Sequence, residues 1–114
     1  MHEVGIMQSA LETAFEQAEA EHATKIHRIG MRIGALSGVV PDALQFAFEA
    51  LSQGTIAEGA EFRIETIPVR STCRRCQREF EFESLASLTC PDCGGEGEGF
   101  LGGREIELSD IEIS

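Results

Sequence analysis

Two Cys-x-x-Cys pairs constrain this sequence more than any other feature. They contain all four cysteines of the 114 residues, Cys73, Cys76, Cys90 and Cys93, with thirteen residues between the pairs. Zn²⁺ binds four thiolates in a tetrahedron, and each Cys-x-x-Cys turn places two sulfurs on one side of the ion. The spacing therefore predicts a structural zinc site that holds a small lobe together.

The same spacing leaves alternatives open. Four thiolates also bind a single redox iron, and the stretch CPDCGG resembles a rubredoxin knuckle, so an electron-transfer protein is one alternative. Two disulfides are another, but paired cysteines at this spacing are typical of metal sites in a reducing compartment. Because a closed shell of four thiolates has no position for a substrate, we expect a structural site and not a catalytic one.

An excess of acidic residues restricts the partners. Twenty Asp and Glu against nine Lys and Arg give a formal charge of −11. This charge repels phosphate backbones and anionic lipid surfaces, so we expect neither nucleic acid nor a membrane as a partner. The sequence shows no basic segment before an apolar run and no stretch near the ~20 apolar residues of a membrane span. These features predict a soluble, cytoplasmic protein.

Two segments have the apolar spacing of amphipathic helices. From Val4 to about Ala20, apolar residues recur at i, i+3, i+4 and i+7. A second apolar stripe follows Pro41, which suits a first helical position, and Gly54 is a natural stop. The second helix is therefore predicted at about 41–53.

Three segments alternate as strands do. Residues 24–34 and 61–67 alternate apolar and polar side chains, and a third alternating segment closes the sequence. The apolar residues of this last segment change phase near Ser109 and Asp110, which predicts a bulge or bend there. We expect an α+β fold with two helices on one face of a small three-stranded mixed sheet.

The cysteine segment is predicted to interrupt this unit between its second and third strands. Pro68 ends the ladder on entry, and the glycine-rich segment 94–103 leads back to the sheet. We therefore expect one domain formed by residues 1–69 plus 100–114, and an inserted zinc-ribbon-like lobe at 70–99.

The inserted lobe has too few apolar residues to fold without a metal. Structural zinc stabilises small peptides by about 10 kcal/mol or more, beyond what the visible apolar side chains supply. Those side chains are Phe80, Phe82, Leu85 and Leu88. The lobe also gathers four arginines, Arg70, Arg74, Arg75 and Arg78. They could contact an acidic protein or balance the neighbouring glutamates, and the second reading is favoured.

His2 is the other candidate metal ligand. Its imidazole, its own backbone nitrogen and the Met1 α-amine can form one compact chelate, and the Glu3 backbone nitrogen can complete a fourth position. Four nitrogens in a plane suit Ni²⁺ or Cu²⁺ and not tetrahedral Zn²⁺. From residue types alone, a frayed terminus without metal is the alternative. We expect His22 to end a helix and His27 to lie on a strand face, away from any metal.

The whole pattern resembles the HypA/HybF family of hydrogenase maturation proteins, which are nickel metallochaperones. The resemblance covers essentially the full length, from the initial MHE through RIGMRIGALSGVVPDAL, QFAFEALSQGT and the CRRC and CPDC pairs to the final GREIEL. It implies Ni(II) bound at His2 with help from Glu3, and Zn(II) bound by the four cysteines. It also implies delivery to the large subunit of a [NiFe]-hydrogenase, a HypB-type GTPase as partner, and urease as a second client in some organisms.

Three functional classes follow. The leading one is a nickel metallochaperone, which is not an enzyme. The alternatives are a structural-zinc interaction module without a nickel site of its own, and an electron-transfer protein. A hydrolase has little support, because no nucleophile motif or motif-linked base accompanies the closed thiolate shell. The oligomeric state is open between a monomer and a homodimer, including a dimer formed by exchange of the lobe.

Overall fold

The computed structural model describes residues 2–82 and 89–114, which contain two helices and six strands. The expected contributions of Leu85 and Leu88 fall outside the described residues. In chain order the elements are α1 (His2–Ala20), β1 (Ile26–Gly34), α2 (Pro41–Leu51), β2 (Glu61–Ile67), β3 (Val69–Cys73), β4 (Glu79–Phe82), β5 (Gly97–Leu101) and β6 (Ile106–Ile113).

Both predicted helices are present. Helix α1 begins at His2, two residues before its apolar stripe starts at Val4. Helix α2 begins at Pro41 as predicted and ends at Leu51, shortly before Gly54, whose φ of 76° does not fit a right-handed helix. The stripes buried at i, i+3 and i+4 spacing are Met7, Ala10, Leu11, Ala14 and Ala18 on α1, and Leu44, Ala47 and Phe48 on α2. Neither of these helices has the length and apolar character that a membrane crossing needs.

The first sheet has the strand order β2-β1-β6 and is mixed. Ala35, which follows β1, donates its N–H to the carbonyl of Ile67 at the end of β2, so β1 and β2 run in the same direction. Lys25, which precedes β1, exchanges two backbone hydrogen bonds with Ser114, which follows β6, so β6 runs in the opposite direction. The helix α2 supplies the crossover that a parallel pair requires.

One face of this sheet is apolar and the other is charged. Ile29 and Met31 of β1 are almost completely buried, and the ring of Phe48 on α2 stacks on Phe62 of β2 with centroids 5.1 Å apart. The α+β fold predicted from the sequence, with helices covering a small mixed sheet, is confirmed. Ion pairs on the charged face join Arg28 to Asp110 and Glu112, and Arg32 to Glu65 and Glu107.

The last strand shows the predicted change of phase. Leu108 and Ile111 are both half-buried, although their positions are three apart on a strand whose faces alternate with a period of two. Gly30 of β1 lies directly against Asp110, where a Cβ atom would collide with the carboxylate. The predicted bulge or bend itself stays a prediction.

The second sheet is antiparallel, with the strand order β4-β3-β5. Strand β2 ends just before Pro68, where an end of the ladder was predicted, and the strand β3 that follows was not predicted. Strand β5 corrects the expectation that the glycine-rich segment is only a connection, because Gly97–Leu101 pairs with β3. Among the described residues, the buried cluster around this sheet contains Val69, Cys73, Phe80, Phe82 and Cys90.

The described chain forms two compact units. One contains residues 2–32, 39–65 and 107–114, and the other contains 33–38, 66–82 and 89–106. The second unit carries all four cysteines. The domain division predicted from the sequence, with 70–99 as the inserted lobe, stays a prediction.

Candidate metal centres

The four cysteines converge in the second unit. Their Sγ atoms all lie within 4.8 Å of one another, with 3.3 Å from Cys73 to Cys93 and 3.8 Å from Cys76 to Cys90. A regular tetrahedron with Zn–S bonds of about 2.3 Å has S–S edges of about 3.8 Å. Disulfide sulfurs would be about 2.05 Å apart, so the four thiols are free. The cluster therefore has the size of a site for one tetrahedral metal ion.

The two knuckles repeat the same turn. Gln77 donates its N–H to the carbonyl of Cys73 at 3.0 Å, and Gly94 donates to the carbonyl of Cys90 at 2.9 Å. Gln77 and Gly94 each follow the second cysteine of a pair, and their φ angles of 64° and 76° are both left-handed. This repeated geometry explains how two short segments present paired sulfurs to a common point.

Gly95 lies where the two knuckles meet. A Cβ atom on this residue would be 2.9 Å from the Sγ of Cys73 and 3.3 Å from the Sγ of Cys93. Only a glycine lets the backbone pass so close to the sulfurs. Gly95 was not predicted as a site residue, although its place in the Gly-Gly pair after Cys93 was the available signal.

Backbone hydrogen bonds favour the ionised form of Cys73. Its Sγ accepts the N–H of Cys76 at 3.4 Å and the N–H of Arg75 at 3.3 Å. The Cys76 N–H, followed by the Cys93 thiol and the Arg75 N–H, lowers the pKa of Cys73 to about 6. The N–H of Gly95 lowers the pKa of Cys93, but the neighbouring Cys73 sulfur and burial outweigh it and raise that pKa to about 11. Because the two sulfurs interact, their protons leave in two steps that belong to the pair, and a bound cation would displace both.

Three of the four arginines in this lobe have partners within it. Two of these partners are carboxylates of the same lobe. This favours the interpretation that the arginines balance nearby negative charge over the alternative that they bind an acidic protein. The pairs are Arg70 with Glu79 at 3.0 Å, Arg78 with Asp92 at 3.2 Å, and Arg75 with the carbonyl of Cys93 at 3.1 Å.

The other candidate ligands, His2 and Glu3, form the first turn of α1. The His2 side chain is 64% exposed, and its Nε2 lies 3.6 Å from the Oε2 of Glu3. Glu3 is only 14% exposed, and the same oxygen accepts the N–H of Val40 at 3.2 Å. This hydrogen bond is the main cause that lowers the pKa of Glu3. An ionised carboxylate is therefore fixed to the residue before α2, beside a free imidazole.

The helical position of His2 and Glu3 leaves their backbone nitrogens outside the helical hydrogen-bond pattern. The first four N–H groups of an α-helix have no acceptor within the helix. A chelate through these nitrogens would rearrange the first turn without breaking helical hydrogen bonds. Among residues 2–82 and 89–114, the cysteine cluster is the only group of three or more His, Cys, Asp or Glu side chains placed to share a metal.

The remaining histidines lie away from this turn. His22 follows the far end of α1, whose 19 residues span about 28 Å. The Nε2 of His27 lies 2.7 Å from the Oγ of Ser114, which gives this exposed imidazole a partner. Neither contributes to the pair formed by His2 and Glu3.

Comparison with known proteins decides the family. A family model described as "Hydrogenase/urease nickel incorporation, metallochaperone, hypA" matches residues 1–113. The chain belongs to the HypA family. This membership confirms the resemblance drawn from the motifs, and it places the chain among metallochaperones that act in hydrogenase maturation and not among enzymes.

Individual HypA proteins match over nearly their whole length. A protein named hydrogenase maturation factor HypA from Picosynechococcus sp. is 48% identical over 113 residues, which are 99% of both chains. Another from Desulfitobacterium hafniense is 38% identical over 99% of this chain and 98% of its own. The solution structure of the Ni metallochaperone HypA from Helicobacter pylori superposes with a TM-score of 0.65 at 25% identity, covering 99% of this chain and 97% of that one.

Proposed function

We propose that this protein binds Ni(II) at the start of α1 and delivers it during maturation of a [NiFe]-hydrogenase, while Zn(II) in the cysteine cluster serves as a structural ion. One observation carries the proposal: an exposed imidazole at His2 lies beside a carboxylate at Glu3 that is fixed in position by Val40. Within a family concerned with nickel incorporation, this pair is the natural cargo site.

The proposed nickel site combines the His2 imidazole with nitrogens of the chain. The Met1 α-amine and the backbone nitrogens of His2 and Glu3 complete a plane of four nitrogens, which suits Ni²⁺. The Glu3 carboxylate, held by Val40, orients the first turn and can approach the metal. The His2 imidazole is 64% exposed, so nickel bound there can leave by ligand exchange while the domain stays folded. Such release is what a carrier requires.

The cysteine cluster suits a resident ion. Cys73 and Cys90 are almost completely buried, and four thiolates close the coordination shell. Zn(II) there would stabilise the small unit without taking part in transfer. If the cluster bound iron instead, the purified protein would be coloured, because thiolate-bound ferric iron absorbs visible light and zinc does not.

The partners follow from this role. We infer a HypB-type GTPase that works with the protein during nickel insertion, and the large subunit of a [NiFe]-hydrogenase as the client. Urease is a second client where the host has one, in keeping with the family's description. A homodimer is compatible with the role, and we expect the protein to act in the cytoplasm, where its clients are assembled.

Metal analysis followed by nickel titration tests the proposal. Untagged protein should retain about one zinc per chain through purification and bind about one further Ni²⁺. His2→Ala should lose nickel and keep zinc, whereas His27→Ala, the matched control, should keep both. Wild-type protein that binds zinc but no nickel would instead support the structural-zinc interaction module.

A further inference from the structure

The two helices carry charge of one sign only. Their sequences contain no lysine or arginine, so all nine basic residues of the chain lie outside α1 and α2. A layer of helices that displays only carboxylates attracts basic partners and repels acidic ones. The six carboxylates are Glu3, Glu12, Glu16 and Glu19 on α1, and Asp42 and Glu49 on α2.

Within this acidic layer, α2 exposes a second apolar stripe. Phe46 is 73% exposed and is the most exposed large apolar side chain of the described residues, and Val40 is 54% exposed. Helical spacing places Ala43 and Ala50 on the same side as Phe46, and it places Asp42 and Glu49 next to the ring. We define the Phe46 face as these six residues: Val40, Asp42, Ala43, Phe46, Glu49 and Ala50. It lies on the side of α2 opposite the buried stripe that contacts the sheet.

The Phe46 face adjoins the candidate nickel ligands. The Val40 N–H that begins this face is the group that holds the Glu3 carboxylate, at 3.2 Å. Val4, the next residue of α1, is also apolar and 41% exposed. Phe46 lies six residues beyond Val40, which is about 9 Å of helix rise. A molecule seated on this face would therefore reach Val40, whose N–H holds the Glu3 carboxylate beside His2.

We propose that the Phe46 face docks a basic amphipathic segment of the protein with which nickel is exchanged, an inference that rests on the proposed function. An apolar side chain of that segment covers Phe46, and flanking lysines or arginines meet Asp42 and Glu49. An aromatic centre with a charged rim is a common arrangement of a binding surface. Opposite charge also accelerates encounter with the correct partner.

Charge separates this occupant from the other candidates. A second copy of the chain would place the carboxylates of one Phe46 face against those of the other, between molecules of formal charge −11. Nucleic acid and anionic lipid are repelled for the same reason. A basic protein segment is the occupant that satisfies both the apolar centre and the acidic rim.

A synthetic helical peptide of leucine and lysine, with the leucines on one face, tests the proposal. Its binding to the full protein is measured by calorimetry and by amide chemical shifts, alongside a matched peptide in which glutamate replaces lysine. We expect the lysine peptide to bind, with shifts concentrated at residues 40–50, and Phe46→Gln to weaken it by about tenfold or more. Phe100→Gln, which changes a phenylalanine 44% exposed on β5, is the control and should bind as wild type.

Several outcomes would overturn the proposal. Equal binding by wild type and Phe46→Gln, or shifts that map away from α2, would show that the face does not dock the peptide. A concentration-dependent dimer that Phe46→Gln abolishes would assign the face to a second copy. Nickel titration separates this result from the proposed function, because Phe46→Gln should bind nickel as wild type. A protein that binds peptide but no nickel would contradict the proposed function and leave the docking face standing.

Discussion

Replacing Cys73 with serine tests whether a metal ion holds the second unit together. Of the five buried core residues in the described part of this unit, two are cysteines of the cluster, and the apolar others are Val69, Phe80 and Phe82. Burial of such side chains contributes about 1.5–3 kcal/mol each, whereas structural zinc contributes about 10–16 kcal/mol. The metal therefore contributes more than these three side chains together, and removing one thiolate should unfold this unit.

Hydrogen exchange with mass spectrometry, together with metal analysis, measures this effect. In Cys73→Ser we expect zinc to be lost and the amides of β3, β4 and β5 to exchange at least about 100-fold faster. The amides of α1, α2 and β1 should keep much of their protection, since the buried stripes of both helices pack without a metal.

Thr72→Ser is the matched control, because it changes the neighbouring residue of the same strand and leaves every sulfur in place. It should keep both zinc and protection. A zinc-free Cys73→Ser protein whose β3, β4 and β5 amides remain protected as in wild type would refute the reasoning. Loss of protection in α1 and α2 as well would show that the helices depend on the metal.

Three further predictions concern the metal sites and acid. Gly95→Ala would place a Cβ 2.9 Å from the Cys73 sulfur, so it should weaken zinc by at least about tenfold in a chelator competition, whereas Gly5→Ala, which has open space, should not. Because the Val40 N–H lowers the pKa of Glu3 below its usual 4.5, this contact stabilises the fold above that pH and is lost as pH falls through the lowered pKa. Thermal unfolding of Glu3→Gln should accordingly be less sensitive to acid than that of wild type, and equal sensitivity would contradict the assignment. On acidification nickel should leave before zinc, since free imidazole takes up a proton near pH ~6.5, and the reverse order in a metal-release assay would show that the two sites are wrongly assigned.

The fold was predictable wherever the signal is local. Strand β2 begins and ends where the alternation of residues 61–67 predicts, and α2 begins at Pro41 because proline fits a first helical position. Strand β5 was missed, because its glycines have no side chains with which to show a period of two. The start of α1 at His2 was also missed, since the apolar stripe that marks the helix begins only at Val4.

The candidate sites were also predictable only where the signal in the sequence is local. The cysteine cluster follows from spacing, because both knuckles are short turns that repeat. The hydrogen bond from Val40 to Glu3 joins residues 37 positions apart, and no local pattern signals it. The crowding at Gly95 depends on how the two knuckles meet. Contacts of this kind arise from tertiary packing, and they could not be predicted from the sequence.

Nickel titration with and without extra residues fused in front of Met1 tests the central claim most directly. The extension leaves the side chains of His2 and Glu3 intact, but it converts the α-amine into an amide. We expect the extended chain to bind Ni²⁺ at least about tenfold more weakly, with a visible spectrum that indicates a less planar coordination geometry. Its zinc content should be unchanged. His2→Ala should be at least as damaging, whereas His22→Ala should bind as wild type. Equal affinity with and without the extension would show that the α-amine is not a ligand, and equal affinity in His2→Ala would contradict a nickel site at the start of α1.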